Sequence, residues 1–230
     1  MAVKYRQKDR GHQIYRLRDG TRVKGASTIT GALGFTKNVM IAWANRLGRE
    51  GVNTKNYVDG LADAGTLAHY LVECDMAGME RDQGYLDEFS KVDMDRALVS
   101  FEKYRDWRAQ HDVQCVWHEQ QLVSEIYRFG GTLDILAYVD GLLVLVDIKT
   151  CKALYGATDE KWTQVAGYDL LCKETLGLEP DECRILRIGR NEQEGFEYAL
   201  MPRRDWHRER FLTCVKLWQI EDMLKGKTRE

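Results

Sequence analysis

The stretch GGTLDILAYVDGLLVLVDIKT, residues 130–150, decides how the rest of the chain is read. Asp140-Gly141 separates two apolar runs and is a two-residue hairpin turn signal. Val139 then faces Leu142, and stepping outward sets Asp134 against Asp147 and Thr132 against Lys149. With period-two alternation, Asp147 and Lys149 share a face with Leu143 and Leu145, while Val144, Val146 and Ile148 take the other. Carboxylates directly across two strands, about 4.5–5.5 Å apart at Cβ, repel each other, and sheet folding does not ask for that. A divalent cation between them converts repulsion into coordination, and hard oxygen ligands favour Mg²⁺ or Mn²⁺ over zinc. Lys149, one pleat along, is then placed to orient or deprotonate a water, or to stabilise charge on a phosphoryl group. Acting as a base would require its pKa to fall.

Outward from the hairpin, the pattern alternates like strands over about 114–125, 127–139 and 142–149. A helix is expected over about 160–175, ended by Leu176-Gly177 and Pro180. Short strands follow at 183–189 and 195–200. A last helix then carries Pro202 in its first turn and runs to about Leu224. Upstream, residues 13–17 and 21–23 flank Asp19-Gly20 as a small hairpin. Ser27-Thr28 caps a short turn, and helices are expected over 38–47, 58–77 and 91–110. This order is an α/β fold, a central mixed sheet flanked by helices with an N-terminal helical extension. One domain spans 1–230, with a hairpin and helical part over 1–112 and a core over 113–230.

Composition excludes more than it assigns. The chain has 230 residues with 44% hydrophobic and 30% charged residues, ordinary for a soluble globular protein. Two prolines leave little room for a linker, and no apolar run approaches the roughly 20 residues of a membrane span. The six cysteines stand singly with no CxxC pair, which argues against a zinc ribbon or iron–sulfur cluster. Without a signal-peptide pattern they imply reduced thiols and a cytoplasmic setting, host cytoplasm if phage-encoded. A net charge of −2 means that DNA would have to be met by a local basic groove.

These residues resemble the PD-(D/E)XK nucleases. Asp134 matches their first acidic position and Asp147-Ile148-Lys149 the D-x-K element. Gln164 to Tyr168 (QVAGY) resembles the Q-x-x-x-Y motif of the RecB-like branch. GTLAHYLVE, residues 65–73, resembles that branch's helix, which supplies a histidine metal ligand. GASTITGALGFTKNVMIAWANRLGREG, residues 25–51, is similar to a turn and Trp-containing helix of phage-type and mitochondrial genome maintenance exonucleases. The resemblance implies a restriction-endonuclease-like core and a hydrolase that cuts DNA phosphodiesters, usually from an end, in recombination, repair or replication.

It implies one or two Mg²⁺ or Mn²⁺ ions held by His69, Asp134, Asp147 and the carbonyl of Ile148. Lys149 would act on the nucleophile, with Gln164 and Tyr168 holding the strand. His69 and Glu73 are i and i+4 on one helix face, so Glu73 is a candidate to hold the histidine from behind. Glu119, on the strand before Asp134, is a candidate to shape the metal site. Lys152, Lys161 and Thr132 are candidate DNA contacts, with Arg184, Arg187 and Arg190 as further basic residues. The expected partner is a single- or double-stranded DNA end. A recombination or helicase protein would supply any unwinding, and a homo-oligomer remains compatible. Two alternatives stand beside the exonuclease: a structure- or sequence-specific endonuclease on the same fold, and a non-catalytic DNA-binding accessory protein.

Overall fold

Alternation along residues 142–149 sorts apolar side chains onto two faces, so a sheet built on that strand must be covered on both. A computed structural model describes residues 13–32, 34, 37–154 and 160–226. In chain order its elements are β1 (Tyr15–Arg16), β2 (Arg22–Gly25), α1 (Ala26–Ala32), α2 (Lys37–Arg49), α3 (Thr54–Ala77), α4 (Gln83–Leu86) and α5 (Lys91–Arg108). Then come β3 (Val113–Ser124), β4 (Phe129–Val139), β5 (Leu142–Lys149), α6 (Glu160–Leu171), a π-helical turn (Cys172–Leu176), β6 (Glu182–Ile188), β7 (Phe196–Leu200) and α7 (Arg204–Leu224). The strands form one seven-stranded mixed sheet in the order β1-β2-β4-β5-β6-β7, with β3 paired to β4. The β2/β4 and β5/β6 pairs are parallel and the others antiparallel.

One face packs Leu136, Leu143, Leu145 and Ile185 against α1, α6 and α7, with Phe211 and Val165 at the centre. The other packs Ile135, Val146, Ile148 and Leu186 against Leu67 and Leu71 of α3 and Trp107 of α5. The N-terminal helices are therefore more than an extension: α3 and α5 supply one whole layer of the fold. Among the described residues no helix is long and apolar enough to cross a membrane.

Local chemistry explains the boundaries. Asn53 caps α3 by accepting from the Asn56 N–H, and the helix ends where Gly78 turns left-handed. Ser90 caps α5 by accepting from the Asp93 N–H. Asp140 and Gly141 both have positive φ, 52° and 87°, as the tight hairpin turn requires.

Several expectations are corrected. The first hairpin turns through Arg18, Asp19 and Gly20, because Leu17 N–H bonds to the Thr21 carbonyl and leaves three residues in the loop. Pro202 lies outside α7, before Arg203, whose φ is 49°. The helix expected over 160–175 divides, with α6 giving way to the π-helical turn at Cys172. The short helix α4, capped by Asp82, was not anticipated.

Candidate metal centre

The β4/β5 ladder follows the expected register from Val139↔Leu142 to Ile135↔Val146 and then stops. Beyond it the strands part. The start of β4 pairs instead in parallel with β2, Lys24↔Phe129 and Gly25↔Gly130, while β5 continues beside β6. Asp134 stands at the fork, and its Oδ2 accepts the Ile148 N–H at 2.6 Å, replacing a ladder carbonyl.

Side-chain parity reverses at the same residue. Phe129 and Leu133 pack on the α6/α7 side, and Gly131 abuts Tyr168 there; after Asp134 it is Leu136 that faces that side, while Ile135, Ala137 and Val139 face α3 and α5. The expected direct opposition of Asp134 and Asp147 is thus corrected: the ladder ends one pair short of it. Thr132 likewise does not face Lys149. It pairs with Gln121 and exchanges hydrogen bonds with Tyr15 and Gln13.

Freed from the ladder, Asp134 reaches α3. Its Oδ1 lies 3.6 Å from His69 Nδ1, and Glu119 Oε1 lies 3.8 Å from the same nitrogen. Ligand atoms of His69, Glu119 and Asp134 all fall within 4.8 Å of one another. They line a cleft of about 430 Å³ with Gly65, Glu73 and Thr150. Gly65 allows that approach, since a Cβ there would sit 2.8 Å from Thr150 Oγ1. Glu119 has φ 44°, a left-handed conformation that is strained for a non-glycine residue.

Asp147 and Lys149 occupy the other arm of the fork. Asp147 is 1% exposed, and Lys149 Nζ donates to its Oδ1 at 2.9 Å. Asp147 Oδ2 is also 2.7 Å from the ammonium, but outside hydrogen-bonding alignment, and this buried oxygen has no hydrogen-bond partner. The donor set that fits a divalent cation is His69, Glu119 and Asp134; Asp147, ion-paired to Lys149, stands outside that group but feels the charges of Asp134 and His69.

The electrostatics agree. Burial pushes the Asp147 carboxyl up, Lys149 opposes it and Asp134 adds to it, leaving it at about 6. Burial also raises Asp134, against the pull of His69. Burial works against a charged His69, but Asp134 and Glu119 together outweigh it and raise the imidazole to about 9. Burial, then Glu119, lifts Glu73 to about 7. For Lys149, burial lowers the pKa, yet Asp147 and Asp134 outweigh burial and hold the ammonium charged. That is opposite to the fall a basic role would need.

On α6, Gln164 Nε2 donates to the Tyr168 hydroxyl at 2.6 Å. Burial first, then Asp147 and Asp134, keep that phenol protonated far above its ordinary value. Gly131 admits the ring, because a Cβ there would lie 2.7 Å from Tyr168 Cε1. Sequence reasoning missed the seat of Tyr15: Gly25 and Gly130 both make way for its ring, and its hydroxyl bonds to Thr132 at 3.1 Å.

The basic candidates divide. Charges of Lys161, Arg187, Arg190 and Lys149 converge on Cys151, at the end of β5. Arg184 is paired with Glu182 and stacks on Tyr198, and Arg187 is paired with Glu197, so both are already engaged. Lys152 is exposed on the loop beyond β5. Of the other histidines, His12 lies outside the described residues, and His118 faces Glu73 at 3.8 Å.

No family model matches the chain, and neither does any curated protein sequence. Two solved structures are similar over part of its length. One is "Putative exonuclease" from Eubacterium rectale, 12% identical over 72% of this chain and 69% of that one, with a TM-score of 0.47. The other is SSO0001, 13% identical over 72% of this chain and 88% of that one, with a TM-score of 0.32. Neither likeness is close enough to assign a family, and the reading of the site stands on this chain's own residues.

Proposed function

We propose that the chain is a metal-dependent deoxyribonuclease that hydrolyses phosphodiester bonds, working from DNA ends. The observation that carries this reading is the fork. It gathers ligand atoms of His69, Glu119 and Asp134 within 4.8 Å of one another, with the Asp147–Lys149 pair on the other arm. His69, Glu119, Asp134 and Asp147, with the Ile148 carbonyl, would hold one or two Mg²⁺ or Mn²⁺ ions. Bound there, such a cation lowers the pKa of a water and neutralises charge on the phosphoryl oxygens.

The chain's own groups do the rest. Lys149, held charged by its carboxylate neighbours, meets the phosphate as a cation and orients the attacking water. Tyr168 accepts from Gln164, so its own proton is free to be donated to a strand oxygen. Lys152 and Lys161 extend positive charge from the end of β5 toward the phosphates that follow. Glu119 takes a larger part than its sequence position suggested, as a ligand rather than a shaping residue.

End-directed cutting is favoured over internal cutting by the Gln164/Tyr168 element and its resemblance to RecB-like exonucleases. Roles in recombination, repair or replication, and a partner that opens the duplex, belong to the same proposal. The test is digestion of end-labelled single- and double-stranded DNA with Mg²⁺ or Mn²⁺, beside a closed circle. Release of nucleotides from labelled ends, an intact circle and no activity in Asp134→Ala are the expected results. Rapid loss of the circle overturns the end-directed part, and activity that survives Asp134→Ala overturns the metal site.

A further inference from the structure

The cleft continues past the three converging ligands. One helical turn along α3 from His69, Glu73 lines the same cleft with a side chain only 6% exposed. Among the described residues its carboxylate takes part in no hydrogen bond, and its nearest cationic group is His118, with Oε1 3.8 Å from Nδ1. That Nδ1 is itself buried and has no hydrogen-bond partner. A buried imidazole nitrogen without a partner costs stability, and the gap between it and the cleft-lining Glu73 carboxylate is where a partner would sit.

Backbone geometry points the same way. His118 and Glu119 are consecutive on β3, and consecutive strand side chains ordinarily point to opposite faces. Both nevertheless reach α3, His118 toward Glu73 and Glu119 toward His69. The positive φ of 44° at Glu119 permits this, and such strain costs on the order of 1–3 kcal/mol. Strain that sets two ligand-type side chains shoulder to shoulder, facing a helix that carries His69 and Glu73, is a built arrangement.

We propose that the cleft takes two divalent cations, the second held by Glu73 and His118, with Glu119 standing between the two positions. This deepens the nuclease reading and rests on it for the first cation. The Glu73 oxygen and His118 nitrogen are close enough to share one ion, leaving other coordination places to water and to phosphate oxygens of a strand. One imidazole at each position tilts the cleft from Mg²⁺ toward first-row transition ions such as Mn²⁺.

Calorimetric titration of the metal-free full chain with MnCl₂, without DNA, tests this directly. The expected stoichiometry is two Mn²⁺ per wild-type chain and one for Glu73→Gln or His118→Gln. Asp134→Asn should also bind one, having lost the other position, and Glu73→Gln with Asp134→Asn should bind none. A wild-type stoichiometry of one overturns the proposal, as does a stoichiometry of two that persists in both Glu73→Gln and His118→Gln. Circular dichroism checks folding, and if Glu73→Gln is unfolded, His118→Gln decides. DNA cleavage measured in parallel separates the two readings. Two bound Mn²⁺ without cleavage of any DNA sinks the nuclease and keeps the second position. One bound Mn²⁺ with cleavage does the reverse.

Discussion

Two aspartates sit in the interior with almost no solvent contact, Asp169 on α6 at 0% exposure and Asp147 on β5 at 1%. Asp169 is saturated. Arg204 grips both its oxygens at 2.8 and 2.6 Å, and Arg208 adds a third bond at 2.6 Å. Burial alone would raise its pKa, but the two guanidiniums outweigh burial and hold it below the usual carboxylate range. Asp147 has one ammonium, one orphaned oxygen and a second carboxylate nearby, and its pKa moves the other way. A buried carboxylate with both oxygens bonded to guanidiniums ties α6 to α7. One left short of partners is held ready for something the chain does not itself supply.

If that contrast is sound, substitutions at the two places should separate activity from stability. The largest effect belongs to the fork. Asp134→Ala or Lys149→Ala should cut DNA cleavage about 10³-fold or more, since each removes several kcal/mol of charge stabilisation. Asp147→Asn should leave the metal-free protein as stable as wild type or up to about 1 kcal/mol more so, because it relieves a poorly satisfied charge. A large loss of melting temperature in Asp147→Asn would erase the distinction between the two aspartates.

Asp169→Ala should do the opposite. The guanidiniums it leaves behind are partly exposed, so the cost falls at the low end of a broken buried pair, about 3 kcal/mol. For a chain of this size that lowers the melting temperature by roughly 6–12 °C. Cleavage measured well below melting should be unaffected. The pH dependence follows from the same pair. Because the folded pKa of Asp169 is depressed, its contribution is fully present above the unfolded value near 3.8 and is lost as pH falls through the lower folded value. Wild type and Asp169→Asn should therefore converge in stability under acid, as followed by circular dichroism. A gap that stays constant down to the most acidic conditions would break the assignment.

Smaller effects sharpen the geometry. Gly131→Ala drives a methyl against Tyr168 and should cost about 1–3 kcal/mol. Much of that should be recovered in Gly131→Ala with Tyr168→Ala, a coupling that a double-mutant cycle reads. Tyr15→Phe removes only the bond to Thr132 and should cost about 1 kcal/mol.

Much of this was legible before any coordinates. The Asp140-Gly141 turn, the register through Ile135↔Val146 and the sorting of Leu143, Leu145 and Val144, Val146 onto opposite faces follow from local rules, and they appear as expected. The same rules fail at Asp134, because period two assumes that strands stay paired. The departure of β5 and the arrival of β2, from about a hundred residues upstream, are tertiary events with no local signature. Glu119 was a candidate only to shape the metal site for a similar reason. Only its positive φ aims it at α3, and neither its type nor its neighbours announce that conformation. The same blindness hid Tyr15, whose place is cut by glycines on two different strands.

The parallel pairing of β2 with β4 also orders events in time. The β4/β5 hairpin closes through two residues, a step of microseconds, whereas Lys24↔Phe129 must close a loop of about a hundred residues and pays the entropy of doing so. A newly made chain therefore possesses its acidic hairpin before the Tyr15 ring is seated against Gly25 and Gly130. The seat of that ring is then among the last features such a chain acquires, and among the first it surrenders when β2 frays.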